Sequence, residues 1–374
     1  MSAKSKSSLN WQQISAFRLA RHSLLAPTAR DPVAISRTLC GIQAQVMGSA
    51  HMAVWARAHH LRRADIASAL NETRSLVKTL CMRRTLHLVP SDEFPVYISA
   101  LRTSRMAALM RVMSRFGITQ KDVELLNGSF VEALGSGPLT RGELNTAVRP
   151  RMNQKIKAWM DRVSSSVSPA LTEGLVCYGP DTGKEVTFVR VDQWLPRQPV
   201  ITEQEAKRIL FRKYLSTYGP ATLNDMAYWS GMPMTEVREI PALLDGELTS
   251  VRIGDRSGLV LTSQFDELMR KRPAGHSVRL LPGFDPYLLG HADKTPLLSS
   301  EHYKLVYRNQ GWISAVVLVD GKIAATWSST RRARLLSIEI QPLAKLSKPI
   351  WSLIEKEAEA LGSFLEIPVE VKSL

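Results

Sequence analysis

An internal repeat restricts this chain more than any other feature. Gly137-Pro138-Leu139-Thr140-Arg141-Gly142-Glu143-Leu144 returns as Gly219-Pro220-Ala221-Thr222-Leu223-Asn224-Asp225-Met226. In each copy Gly-Pro makes a turn, Thr stands at an N-cap, and an acid follows three residues on in the capping-box position. Two equivalent helices therefore begin at Thr140 and Thr222. Each is expected to lead into a second helix, over 155–172 and 234–244, and then through an acid-Gly turn, Glu173-Gly174 or Asp245-Gly246, into strands. Asp181-Thr182-Gly183-Lys184 and Gly254-Asp255-Arg256-Ser257-Gly258 supply the hairpin tips. Helix, turn, helix, hairpin is the order of a winged helix.

The first third of the chain has the same order without the Gly-Pro marker. Helices are expected over 11–25, from Pro32 behind an Asp31 cap, over 49–60 and over 65–70. Two short strands then flank Arg83-Arg84, a basic hairpin. Beyond Pro273 the pattern is strand-rich, over 278–281, 312–319, 322–327 and 335–340, with Asp320-Gly321 as a hairpin turn and a helix over 350–361. The expected fold class is α+β: three tandem winged-helix motifs and a C-terminal β-barrel. The divisions are a disordered tail over 1–8, winged helices over 9–120, 121–199 and 200–275, and the barrel over 276–374. Such an array also suits protein interaction, so the repeat alone does not assign DNA binding.

Charge narrows the choice of partner. The net charge of +15 is concentrated in residues 1–120, which hold 17 Lys and Arg against 5 Asp and Glu. This asymmetry favours a polyanion. No lysine-rich amphipathic helix, acylation signal or long apolar run points to a membrane, which leaves nucleic acid. Lys4, Lys6, Arg18, Arg21 and Arg30 with no acid among them superficially suit a transit peptide. Ile14, Phe17, Leu19, Leu24 and Leu25 instead mark a folded first helix. Cys40, Cys81 and Cys177 stand far apart, which argues against a zinc site or a disulfide framework and for a reducing compartment, the cytoplasm. The eight histidines form no metal-ligand pair, and no cofactor is implied.

One stretch, Cys40-Gly41-Ile42-Gln43-Ala44-Gln45-Val46-Met47, places two primary amides inside an apolar run. Burying an amide without partners costs about 1 to 3 kcal/mol. Two readings stand: core amides satisfied by backbone, or a pair holding a water or a sugar. Residues i and i+2 diverge on a helix and share a side only on an extended chain, so a shared site requires non-helical backbone here.

Five motifs carry a resemblance across nearly the whole chain. They are Gly41-Ile42-Gln43-Ala44-Gln45; Met82-Arg83-Arg84-Thr85-Leu86-His87-Leu88-Val89; Tyr218-Gly219-Pro220-Ala221-Thr222 with Trp229-Ser230-Gly231; Leu280-Leu281-Pro282-Gly283-Phe284-Asp285-Pro286-Tyr287-Leu288-Leu289-Gly290; and Val319-Asp320-Gly321 through Trp327. In this order they resemble the winged-helix DNA glycosylases of the AlkZ and AlkX (YcaQ) group. The resemblance implies a C-shaped molecule whose concave face holds DNA. It also implies a Gln-x-Gln catalytic motif at Gln43 and Gln45, similar to the AlkZ branch, which acts on bulky or crosslinked N7-alkylguanine. Arg83, Arg84 and Thr85 are then expected at the DNA, with His87 as their support, a phosphate contact or a plain strand histidine. Arg74 and Lys78 are candidate backbone clamps, and Asp285 and Tyr287 are expected to be structural. The expected partner is double-stranded DNA with alkylated or crosslinked guanine, bound by a nucleoid-associated monomer. The rival is a winged-helix transcriptional regulator without catalysis. A Schiff-base lyase is disfavoured because no lysine adjoins the Gln motif.

Overall fold

Both copies of the repeat build the helix starts their residues dictate. Thr140 and Thr222 accept from the backbone N–H of Glu143 and Asp225 at 3.3 and 3.1 Å, and the two carboxylates reach back to the cap N–H at 2.8 and 2.9 Å. Reciprocal caps satisfy donors that a helix start leaves open. The computed structural model describes residues 8–374 apart from 27–30, 59, 164, 273–274 and 333. The tail expected over 1–8 therefore lies outside the described residues except for Ser8, whose backbone pairs with Arg252.

The second helices of the repeat are broken. Over 155–172 there are two, Gln154–Met160 and Ser168–Glu173, and Pro169 opens the second. After Met234–Val237 the chain tightens into a 3-10 turn, Ile240–Leu244, at Pro241. In both places the proline ring lacks the donor that a continuous helix needs.

The architecture is mixed α+β, with three sheets among the described residues. One has six strands in the order Ile42–Gln43, Leu86–Pro90, Leu76–Leu80, Val176–Tyr178, Thr187–Arg190, Leu139–Thr140. The first and second hairpins are thus joined edge to edge, through Lys78 opposite Tyr178. The third hairpin, Leu248–Ile253 with Arg256–Leu261, pairs with Ser8–Leu9. The C-terminal sheet runs Val278–Leu281, Ala315–Val319, Lys322–Arg332, Leu335–Pro342, Val369–Ser373. Among the described residues it is open rather than the expected barrel. Helix Lys348–Leu365 lays Ile350, Ile354, Ala358 and Leu361 on its apolar face, so the burial that closure would provide comes from the helix. No helix among the described residues is long and apolar enough to cross a membrane.

Two cores meet beneath the glutamine pair. One joins Tyr97 and Leu101 of the long helix Phe94–Met113 to Leu210, Tyr214 and Leu215 of helix Glu203–Tyr218 and to Trp229. The other joins the C-terminal sheet and its helix to Ile35, Ile42, Ala44 and Val54.

Candidate active site

Helix Pro32–Thr38 starts on Asp31, which accepts from Val33 and Ala34, and ends at Leu39. Its last carbonyls have no partners within the helix. Helix Glu203–Tyr218 supplies them: Lys213 Nζ donates to Arg37 O at 3.2 Å, Thr217 Oγ1 to Thr38 O, and Tyr218 Oη to Leu39 O at 2.9 Å. Cys40 and Gly41 then turn the chain through left-handed backbone, with φ of 56° and 91°. A side chain at 41 would lie 3.1 Å from Val89 Cγ1, so glycine fits on both counts.

Past this turn the backbone is extended. Ile42 and Gln43 pair with Leu88 and His87, and Ala44 N–H donates to Leu86 O at 2.7 Å. Alternation now sorts the side chains. Ile42 and Ala44 are fully buried in the C-terminal core, which is why a small residue separates the glutamines, whereas Gln43 and Gln45 open onto one cavity of about 690 Å³. The non-helical geometry that a shared site requires is therefore present.

The opposite wall is aromatic and comes from distant parts of the chain: Tyr228, Phe284, Tyr303, Tyr307 and Trp312. Tyr303 stacks on Tyr307 with centroids 5.0 Å apart, and Phe284 meets Trp312 edge-on at 5.2 Å. Arg83, Lys304 and Arg308 supply the charge, and no Asp, Glu or His stands among the described lining residues. Lys294 lies behind this wall, beneath the rings of Tyr228 and Tyr307 at 4.6 and 5.1 Å, and donates to Leu288 O and His291 O. Burial pushes its pKa down to about 7. No local pattern announces the aromatic wall, because its members become neighbours only in the fold.

Arg83 points inward. Its backbone is left-handed (φ 53°), and its guanidinium donates to Gln43 Oε1 at 2.9 Å and to Trp229 O at 2.5 Å. The turn is held from outside by Gly231, where a Cβ would lie 3.0 Å from Arg83 Cα. Gln45 Oε1 accepts from Leu86 N–H at 3.3 Å. Each amide oxygen thus has one fixed donor and a second acceptor site remaining. Thr85 lines the cavity and donates to Met82 O.

The other expected DNA residues are dispersed. Arg84 is exposed. His87 is 2% exposed, and its Nδ1 lies 3.0 Å from Thr85 O. Burial, reinforced by the Arg83 charge, pushes its pKa down to about 3, so it is a neutral strand residue beneath the surface. Arg74 lies over the Trp194 ring at 3.8 Å and Lys78 over Tyr178 at 5.2 Å, both away from the cavity lining. Asp285 is buried in a bidentate pair with Arg57 at 2.7 and 2.8 Å and caps Tyr287 N–H, a structural clamp under Phe284. Arg57, Lys213, Thr217 and Lys294 carry no sequence signal that singles them out. Tyr218 is visible in the sequence only as part of the Tyr-Gly-Pro motif.

A family profile described as DNA glycosylase AlkZ-like matches residues 37–364. The chain is 30% identical over 359 residues, 93% of its length and 95% of the relative's, to an interstrand DNA cross-link repair glycosylase of Streptomyces sahachiroi. Its fold is similar to that of Streptomyces sahachiroi DNA glycosylase AlkZ, with a TM-score of 0.85 and 29% identity over 98% of this chain and 100% of that one. The match extends over the Gln pair, the first hairpin, the aromatic wall and the C-terminal sheet, and on that ground the chain belongs to the AlkZ-like family of DNA glycosylases, enzymes acting on N-glycosyl bonds.

Proposed function

We propose that this enzyme hydrolyses the N-glycosidic bond of bulky or crosslinked N7-alkylpurines in duplex DNA, unhooking interstrand crosslinks and leaving abasic sites. The observation that carries the reading is the cavity in which two neutral amides face an aromatic wall with no carboxylate. An N7-alkylated purine is already cationic and departs as a neutral base, so no general acid is required. Its positive charge suits the π faces of Tyr228, Tyr303 and Trp312. The sugar develops oxocarbenium character and must meet water, the task that paired carboxylates perform in glycoside hydrolysis. Here Gln45 orients the water, and Gln43, fixed by Arg83, holds the water or the deoxyribose. Rate then comes from positioning and from amide dipoles aimed at the developing charge.

The same reading has the three helix–turn–helix–hairpin units acting as tandem winged helices within a C-shaped, monomeric molecule that encircles the duplex in the nucleoid. Their divisions fall at 9–120, 121–199 and 200–275, with 276–374 as the fourth part. Arg84 and Thr85 contact DNA at the first hairpin. The relative's name, a cross-link repair glycosylase, supports this choice of substrate.

The test is incubation with duplexes carrying an N7-alkylguanine or a nitrogen-mustard crosslink. Abasic sites without strand cleavage are expected, and Gln43→Ala with Gln45→Ala should abolish base release while duplex binding survives. Binding lost in step with activity would remove the catalytic assignment. Lys304 is the one lysine on the cavity wall among the described residues, so a borohydride-trapped covalent adduct would replace hydrolysis by Schiff-base chemistry. A transcriptional regulator would instead bind one undamaged sequence and release no base.

A further inference from the structure

Many arginines on this protein are neutralised. Arg37 meets Asp92 and Glu93, Arg149 meets Asp161, Arg151 meets Glu132, Arg190 meets Asp192, and Arg212 meets Glu247. Arg84, Arg105, Arg111 and Arg115 have no carboxylate partner among the described residues. These four line one groove of about 580 Å³, bounded by the long helix Phe94–Met113 and its 3-10 extension Ser114–Phe116, the turn of the first hairpin, and Ser230 and Gly231. Helical spacing puts Arg105, Ala108, Arg111 and Arg115 on one face, and the small Ala108 leaves the floor open.

Arg105 separates this groove from an ordinary solvated charge cluster. It is 7% exposed, and its Nη1 donates to Leu80 O at 2.9 Å. Its Nε and Nη2 are buried with no partner among the described residues. Donors of a permanent cation held dry and unpaired point to an anionic acceptor. Arg83 links the groove to the active site, since it lines both and bonds Gln43. Arg105 to Arg115 spans about 15 Å along the helix, enough for more than one phosphate of a strand that advances about 3.4 Å per nucleotide along the duplex axis.

We propose that this groove binds the phosphodiester backbone of the damaged strand immediately beside the reacting nucleotide, with Arg105, Arg111 and Arg115 on its phosphate oxygens. The proposal rests on the placement of that nucleotide at Gln43 and Gln45. It accounts for how a strand leaves the cavity, past Arg83 and along the long helix.

The experiment uses the full chain and a duplex carrying a tetrahydrofuran abasic analogue, which has no bond to cleave. Binding is followed by fluorescence anisotropy over a series of KCl concentrations for wild type, Arg111→Gln, Arg115→Gln and the double variant. Both side chains are exposed, and thermal melting verifies that folding is retained. Affinity should fall several-fold, and the slope of log K against log salt should shrink by about 0.9 per arginine that meets a phosphate. Arg149→Gln, which loses only its pair with Asp161, should leave the slope unchanged. Single methylphosphonates then neutralise one phosphate at a time along the damaged strand. One or two positions next to the analogue should weaken wild type and not the double variant, which also distinguishes backbone contact from retention of a free phosphate ion. An unchanged slope, or a loss equal at all positions, overturns the proposal. Failure to release any base would leave this binding result standing and would count against the proposed function instead.

Discussion

A guanidinium carries its donors in a rigid fork, and Arg83 divides that fork between Gln43 Oε1 and the Trp229 carbonyl. Its charge therefore polarises an amide of the proposed catalytic pair while its position is set by a helix end from another part of the chain. A lysine keeps the charge but offers a point donor on a flexible stem, unable to hold both acceptors. Arg83→Lys should reduce single-turnover base release from an N7-alkylguanine duplex by about 10- to 100-fold, about 1.4 to 2.7 kcal/mol of transition-state stabilisation. Affinity for an uncleavable duplex should change much less. Equal losses in binding and rate would reduce Arg83 to a plain phosphate contact.

Helix Glu203–Tyr218 does for the glutamine strand what a capping motif does for a single helix. Its Lys213, Thr217 and Tyr218 finish the carbonyls of Pro32–Thr38 and Leu39 and so fix where Cys40 and Gly41 turn. Tyr218→Phe removes one such bond at constant shape. It should cost about 1 kcal/mol in denaturant unfolding and slow base release at unchanged duplex affinity, because Leu39 is one residue from the turn that aims Gln43. Local rules are readable in the sequence here and distant ones are not. Thr140, Thr222 and Asp31 announce their helices, Arg83-Arg84 and Asp320-Gly321 their hairpin turns, and the spacing of Gln43 and Gln45 its own need for extended backbone. The inward turn of Arg83 depends on Gly231 lying against it, and the aromatic wall on Tyr228 meeting Tyr303 and Tyr307, contacts that no periodicity encodes. The expectation of a barrel fails because alternating strands are equally served by closure or by a covering helix, and only the packing of Ile350 and Ile354 decides between them.

Across the molecule, buried imidazoles tie stability to pH. Burial holds His22 and His291 well below the ordinary histidine value and pushes His87 down to about 3. Below the unfolded value of about 6.5 the unfolded chain binds protons that the folded chain refuses, so folding stability decreases as pH falls, by up to about 1.4 kcal/mol per unit for each residue. The loss begins near pH 6.5 and for His87 is complete near 3. Denaturant midpoints should accordingly drop through the mildly acidic range, and His87→Gln should make that drop shallower. The cavity itself titrates differently, since its glutamines carry no proton to gain or lose and burial raises the phenols of Tyr228 and Tyr307, making them weaker acids still. On the proposed chemistry an intact guanine or adenine that strays into this site would leave only if protonated, and the described lining holds no carboxylic acid or imidazole to do so. On the proposed function the enzyme would need no checkpoint against healthy DNA: damage that makes a base ready to depart would itself be the permission, and undamaged bases would return to the helix uncut.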